Sequence, residues 1–298
     1  MNMMQLFSER LGYIKPSDII VREDMPEAVA NAIASSICRL RDDLETADDE
    51  IYGCIQNVPY YDLSYFKLKA AFWTDFLNKK YTELFDSDFG RDDEITLFLT
   101  ASSAKWYRKL DCVEFLIDYM GINFTDKVRV QVVERFVSRL NYHFERLRYG
   151  YRIIDGYCTD ITSKEEISTI SKAVCACDIA SSHLRNALSL YSQRPTPDYT
   201  NSIKESISAV EAFCREKTGE STLGPALSKL ETNGITIQPM LRSAFEKLYY
   251  YTNDKTTGIR HALMDSSETY KPSEDEAGFM LIACSSFINY LKKKSGRP

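Results

Sequence analysis

Three histidines could carry acid–base chemistry, and the neighbours of His261 distinguish it from the other two. Arg260 precedes it directly and Asp265 follows it by four residues, so one turn of helix would bring this carboxylate next to the imidazole. A permanent guanidinium for a phosphate, a titratable imidazole and an orienting carboxylate form a set suited to phosphoryl transfer. On spacing alone, however, a structural Arg-His pair at a helix junction is favoured over a catalytic one.

The other two histidines lie in helical patterns with simpler interpretations. His143 follows Arg139 by four residues on a basic, aromatic helix, which favours an exposed basic face. His183 lies inside a long helical pattern, where a solvated or packing role is favoured. Glu211 borders the apolar face of its predicted helix and is a further candidate for the site. Pairing of Glu211 with Lys204 or Arg215 at the rim is nevertheless the favoured interpretation.

No signature of a metal or cofactor site competes with these residues. Of the eight cysteines only Cys175 and Cys177 are close together, without a second pair or a histidine nearby, so we expect no metal. The sequence has no glycine-rich phosphate loop and no nucleophile elbow, and we expect no cofactor. A net charge of −6 argues against a protein that coats nucleic acid, but it is compatible with a small basic site on an acidic body.

The elements that must position these residues are predicted to be almost wholly α-helical. A chain of 298 residues favours two compact parts over one. Residues 1–150 are expected to form an all-helical module, and residues 163–298 a helical bundle. Hydrophobic periodicity predicts the first helix from Pro26 and further helices over 62–81, 106–120 and 126–148.

A small β-hairpin is predicted at the junction, residues 151–162, because Asp155-Gly156 separates two β-prone runs. Overlapping capping boxes at Thr162 and Ser163 then predict a long helix that runs to about residue 192. Further helices are predicted over 201–217, 222–230 and 274–294, with another from Pro239. The longest apolar stretch, 279–284, is too short to cross a bilayer, and residues 1–10 do not resemble a secretory signal. We therefore expect a cytoplasmic protein without a membrane span.

Short phrases along the chain resemble a known family. The opening 7–13, followed by 18–20, resembles the start of the AbiJ-type abortive-infection module of bacteria. The second half is similar to the HEPN helical fold associated with that family. The phrases that carry this similarity are 183–188, 209–212, 222–227, 258–262 and 284–291.

The resemblance implies an activity. HEPN proteins are commonly metal-independent ribonucleases that act as dimers, often as toxins or antiphage effectors. Their active pair is an Arg followed, after about four to six residues, by a His, whereas Arg260 stands directly before His261. The helical twist of about 100° per residue would separate these two side chains. Lys255 lies nearer to the expected spacing but is not an Arg, and Arg139 is one residue too close to His143.

If this activity holds, His261 exchanges a proton with the RNA 2′-hydroxyl or the leaving oxygen, and Arg260 stabilises charge on the phosphate. Lys255, Arg185 and Lys204 are then expected to bind RNA. A homodimer would let two incomplete sites complete each other.

The alternative is a sensor or partner-binding module of a defence system without catalysis. In that case the tyrosine run 249–251 would mark the interface with a partner protein, although a helix end packed on the core explains the run equally well.

Overall fold

The computed structural model describes residues 21–83, 93–161, 163–175, 178–193, 196–254, 257, 259 and 270–296. Within these residues the chain is helical apart from short turns and one two-stranded antiparallel sheet, so the predicted all-α class with a single hairpin is confirmed. The chain divides into two compact units, Met1–Asp160 and Ile161–Pro298. The division falls directly after the hairpin.

The first unit is built on one long helix. Helix α1, Glu27–Tyr52, buries an apolar stripe that includes Ile33, Ile37 and Leu44, and it ends at Gly53 in the left-handed conformation. The other elements of this unit are short 3₁₀ turns at Ile55–Asn57 and Tyr60–Asp62, α2 at Ser64–Ala71 with a π-helical turn at Phe72–Phe76, α3 at Glu94–Thr100, α4 at Trp106–Asn123 and α5 at Lys127–Arg146. Helix α1 packs against α3 and α5, which encloses one hydrophobic core.

The predicted helix over 62–81 is wrong in its extent. It begins at Ser64, widens into the π-helical turn and ends before Asn78, which has a φ of 54°. Asparagine tolerates this left-handed conformation better than most residues, and the conformation cannot continue a helix. Local chemistry at Asn78 therefore overrides the apolar periodicity.

The hairpin consists of β1, Arg152–Ile154, and β2, Tyr157–Thr159, and Ile153 lies opposite Cys158. Asp155 and Gly156 both have positive φ, as the predicted two-residue turn requires. The side chain of Asn141 in α5 accepts from the backbone N–H of Ile153 and donates to its carbonyl, at 2.8 and 2.9 Å. This amide occupies the edge of the short sheet and fastens it to α5.

The second unit is a helical bundle around α8. Its helices are α6 at Lys164–Val174, α7 at Ile179–Ser192, α8 at Tyr199–Thr218, α9 at Leu223–Thr232, α10 at Pro239–Asn253 and α11 at Glu274–Ser295. Helix α8 packs against α7, α11 and α9, and α11 also packs against α6. Among the described helices none is both long and apolar enough to cross a membrane.

The single long helix predicted to run to about residue 192 is wrong, because α6 and α7 are separate. Asp178 begins α7 with a capping box: its carboxylate accepts from the backbone N–H of Ser181 at 2.7 Å, and the Ser181 hydroxyl accepts from the N–H of Asp178 at 3.1 Å. A reciprocal cap satisfies N–H groups that a helix start leaves unpaired. The predicted start of α6 is confirmed, since the Ser163 hydroxyl accepts from the N–H of Glu166.

Candidate functional site

Arg260, His261, Asp265 and Lys255 lie outside the described residues. The chain just before Arg260 is described at two positions. The Thr257 hydroxyl donates to the carbonyls of Tyr251 and Asp254, at 3.1 and 2.8 Å, and Ile259 is buried. The polypeptide that leaves the end of α10 towards Arg260 is therefore anchored by a polar turn and by an apolar side chain.

The remaining predicted site residues lie on the packed pair of helices α7 and α8. Arg185 on α7 donates from Nη2 to the carbonyl of Val174 at the end of α6, so this guanidinium joins two helices. Lys204 is exposed on α8 and Glu211 is half-buried two turns further along the same helix. The RNA-binding role of Arg185 and Lys204, and the catalytic role of Glu211, stay predictions.

The same helix pair holds an imidazole–carboxylate pair that sequence reasoning missed. Nδ1 of His183 lies 2.7 Å from Oε2 of Glu205, and both side chains are partly exposed. A carboxylate that holds one ring nitrogen orients the imidazole and leaves Nε2 available for proton transfer. The partners are 22 residues apart on neighbouring helices, so no local spacing could have indicated the pair.

His143 has a different environment in the first unit. Burial first, and then the guanidinium groups of Arg146, Arg139 and Arg39, lower the pKa of His143 below its ordinary value. The imidazole is half-buried, whereas Arg146 and Arg148 nearby are exposed, so His143 lies at the edge of a basic helix face. Its Nδ1 atom is buried and has no hydrogen-bond partner among the described residues.

Within the part of the chain that the structure describes, no three His, Cys, Asp or Glu side chains lie close enough together to bind a metal ion. The cysteines of this part therefore form no metal site. Cys175 is exposed, and Cys177 lies outside the described residues. Cys112, Cys214 and Cys284 are buried among apolar side chains, which confirms their prediction as small hydrophobic residues.

Comparison with protein families establishes the class of the protein. The family model described as AbiJ N-terminal domain 4 matches residues 5–175, which is more than half of the chain. The match identifies an abortive-infection protein of the AbiJ type and confirms the resemblance of the first part. The chain belongs to the AbiJ N-terminal domain 4 family. No curated protein and no solved structure matches the sequence significantly. The similarity of the second unit to the HEPN fold stays a prediction.

Proposed function

We propose that this chain is an antiphage effector of the abortive-infection type, whose second unit is a HEPN-like, metal-independent ribonuclease that acts in the cytoplasm. The observation that carries the proposal is the family membership of residues 5–175. The all-helical second unit begins within that region at Ile161 and continues beyond it, and Arg260 and His261 fall in the sequence between its described helices α10 and α11. A helical bundle of this kind is a fold on which facing helices can build a polar site.

The chemistry of the proposed site follows from the residue types. His261 exchanges a proton with the 2′-hydroxyl or the leaving oxygen of RNA, and Asp265 holds its imidazole in one orientation. Arg260 stabilises the charge that develops on the phosphate oxygens. The polar turn at Thr257 and the buried Ile259 support a defined path of the chain into this segment. Lys255, Arg185 and Lys204 supply positive charge for the RNA backbone.

A homodimer is part of the proposal, and helix α10 supports it. Among the residues of α10 only Thr252 is buried, although the helix is amphipathic. Met240 near the start of α10 and Tyr250 near its end are 76% and 68% exposed, which leaves apolar surface of this helix uncovered. A second copy that covers this face would bring two such helices together.

The alternative is a HEPN-like sensor that binds a partner protein of a defence system without catalysis. The direct succession of Arg260 and His261 favours this alternative, since adjacent residues on a helix point in different directions. The exposed ring of Tyr250 would then contact the partner.

Cleavage of total RNA in the presence of EDTA separates the two functions. Wild type, Arg260→Ala and His261→Ala are compared, together with oligomeric state by light scattering. Cleavage by wild type, lost in both variants with their folding intact, is the expected result. A folded wild-type dimer that leaves RNA intact would instead favour the binding module.

A further inference from the structure

A basic cluster in the first unit is independent of the proposed ribonuclease site. It consists of Arg39 on α1 and of Arg139, His143 and Arg146 on α5. The three residues of α5 follow one another at spacings of four and three, so they share one face of the helix. Since α1 packs against α5, Arg39 adds a fourth basic side chain from the neighbouring helix.

The register of the two helices places Arg39 beside His143. Nη2 of Arg139 on α5 lies 3.1 Å from Oδ2 of Asp43 on α1. His143 lies one turn after Arg139, and Arg39 lies one turn before Asp43, so the two side chains come next to each other. The guanidinium of Arg39 acts on the imidazole together with those of Arg139 and Arg146. Ser35 lies one turn before Arg39 on the same face of α1, and this exposed side chain carries no charge.

The neighbouring acids have partners of their own, and only Asp43 neutralises a member of the cluster. On α1, Asp42 pairs with Arg41 and Asp43 pairs with Arg139. On α5, the charge of Glu145 acts on Arg152. In the described ranges neither Arg39 nor Arg146 has an ion-pair partner, and both are exposed. The cluster therefore keeps a local positive charge on a protein whose net charge is −6.

The end of α5 does not neutralise this charge either. The carbonyls of His143, Glu145 and Phe144 accept from the backbone N–H groups of residues 147, 148 and 149, at 2.9, 3.1 and 2.8 Å. Helix-terminal carbonyls without partners would attract cations. These three are satisfied, so the guanidinium of Arg146 remains available for an external anion.

Two nitrogen atoms of the cluster also lack partners. Nη1 of Arg139 and Nδ1 of His143 are both buried, and neither finds a hydrogen-bond acceptor or donor in the described part of the chain. Buried polar atoms are normally paired, and each one that is not requires an explanation. The cluster therefore has unsatisfied hydrogen-bonding capacity among the described residues.

We propose that the basic cluster binds the phosphate group of a nucleotide. Arginine is the side chain best suited to phosphate, because its planar fork donates two parallel hydrogen bonds. The adjacent Tyr142 is 49% exposed, and its ring meets that of His143 edge-on at 5.4 Å between centroids. An exposed aromatic ring beside a phosphate site offers a face on which a base stacks. The ligand is therefore a nucleotide, either free or at the end of an RNA strand.

Histidine NMR in the full-length His261→Ala protein tests this site apart from the ribonuclease proposal. The substitution removes the proposed catalytic imidazole and leaves only His143 and His183, the latter as internal control. The probes are inorganic phosphate, 5′-AMP and a 5′-phosphorylated hexaadenylate. We expect 5′-AMP to shift the His143 resonance saturably and to raise the pKa of His143, because the bound dianion offsets the nearby guanidiniums. The His183 resonance should not respond to 5′-AMP or to inorganic phosphate.

Substitutions then locate the contacts. Arg39→Gln and Arg146→Gln should each weaken 5′-AMP binding about tenfold, the loss expected for one charge-assisted hydrogen bond. Lys127→Gln is the matched control, since Lys127 is exposed on the same helix, about 24 Å along its axis from His143. This variant should bind like its parent, and Tyr142→Leu should weaken the binding of 5′-AMP but not that of phosphate.

The probes also distinguish the sources of the phosphate. Tighter binding of the hexaadenylate than of 5′-AMP would identify an RNA end as the ligand, and the reverse order would identify a free nucleotide. Equal affinity for 5′-AMP and inorganic phosphate would overturn the nucleotide assignment. A His143 resonance that responds to none of the probes, or equal losses in Lys127→Gln and Arg146→Gln, would overturn the site itself.

Discussion

Replacement of Asp48 by alanine is expected to destabilise the first unit strongly, because this carboxylate joins three elements inside it. Asp48 lies on α1 and its side chain is only 1% exposed. It accepts from the backbone N–H and the hydroxyl of Ser64, at 2.7 and 2.6 Å, where α2 begins. It also accepts from Nη2 of Arg129 on α5 at 2.7 Å.

The magnitude follows from what the substitution leaves behind. The guanidinium of Arg129 is only 14% exposed, and without Asp48 its nearest carboxylate is the more exposed Asp126 at 3.1 Å. Removal of one partner of a buried ion pair costs about 3–5 kcal/mol. Since Asp48 also accepts from the N–H of Ser64, the first residue of α2, a loss of about 4–5 kcal/mol is expected. For a unit of this size that corresponds to a decrease in Tm of about 8–20 °C.

Tryptophan fluorescence measures this effect in the full chain. Both tryptophans, Trp73 and Trp106, belong to the first unit, so their emission during urea unfolding follows that unit. Glu50→Ala is the matched control, because Glu50 is an exposed acid on the same helix and should change stability by less than about 0.5 kcal/mol. An Asp48→Ala protein as stable as Glu50→Ala would refute the stabilising role of this network.

Further predictions concern caps, turns and thiols. Burial alone would raise the pKa of Asp178, but hydrogen bonds from a lysine and from the cap lower it below 3.8. The contribution of Asp178 to stability is therefore fully present above about pH 4 and is lost on further acidification. Over this pH range the urea midpoint should fall less for Asp178→Asn than for the wild type. Gly156→Ala should cost about 1–2 kcal/mol by urea unfolding, because Gly156 has a φ of 89°. Burial raises the pKa of Cys214 and of Cys284 to about 12, so at pH 8 a thiol reagent detected by mass spectrometry should modify exposed Cys38 long before either of them.

The sequence by itself determined the features that depend on neighbours along the chain. Apolar periodicity predicted α1, α4 and α5, and Asp155-Gly156 predicted the hairpin. Residue types near a helix end determine its caps, so Ser163 and Pro239 marked the starts of α6 and α10. The family resemblance of the first part also rested on local phrases. These signals survive because each involves residues within one or two turns of each other.

Only the tertiary structure decided which distant side chains meet. Asp48 and Arg129 are 81 residues apart, and His183 and Glu205 are 22 apart, so their pairing depends on the register of packed helices. The same register places Arg39 beside His143, so the basic face predicted on one helix is part of a cluster formed by two helices. Two nitrogen atoms of this cluster, Arg139 Nη1 and His143 Nδ1, are buried. Arg260 and His261 were identified from residue types alone and lie outside the described residues. Contacts between helices depend on how apolar faces pack, and no local spacing specifies that geometry.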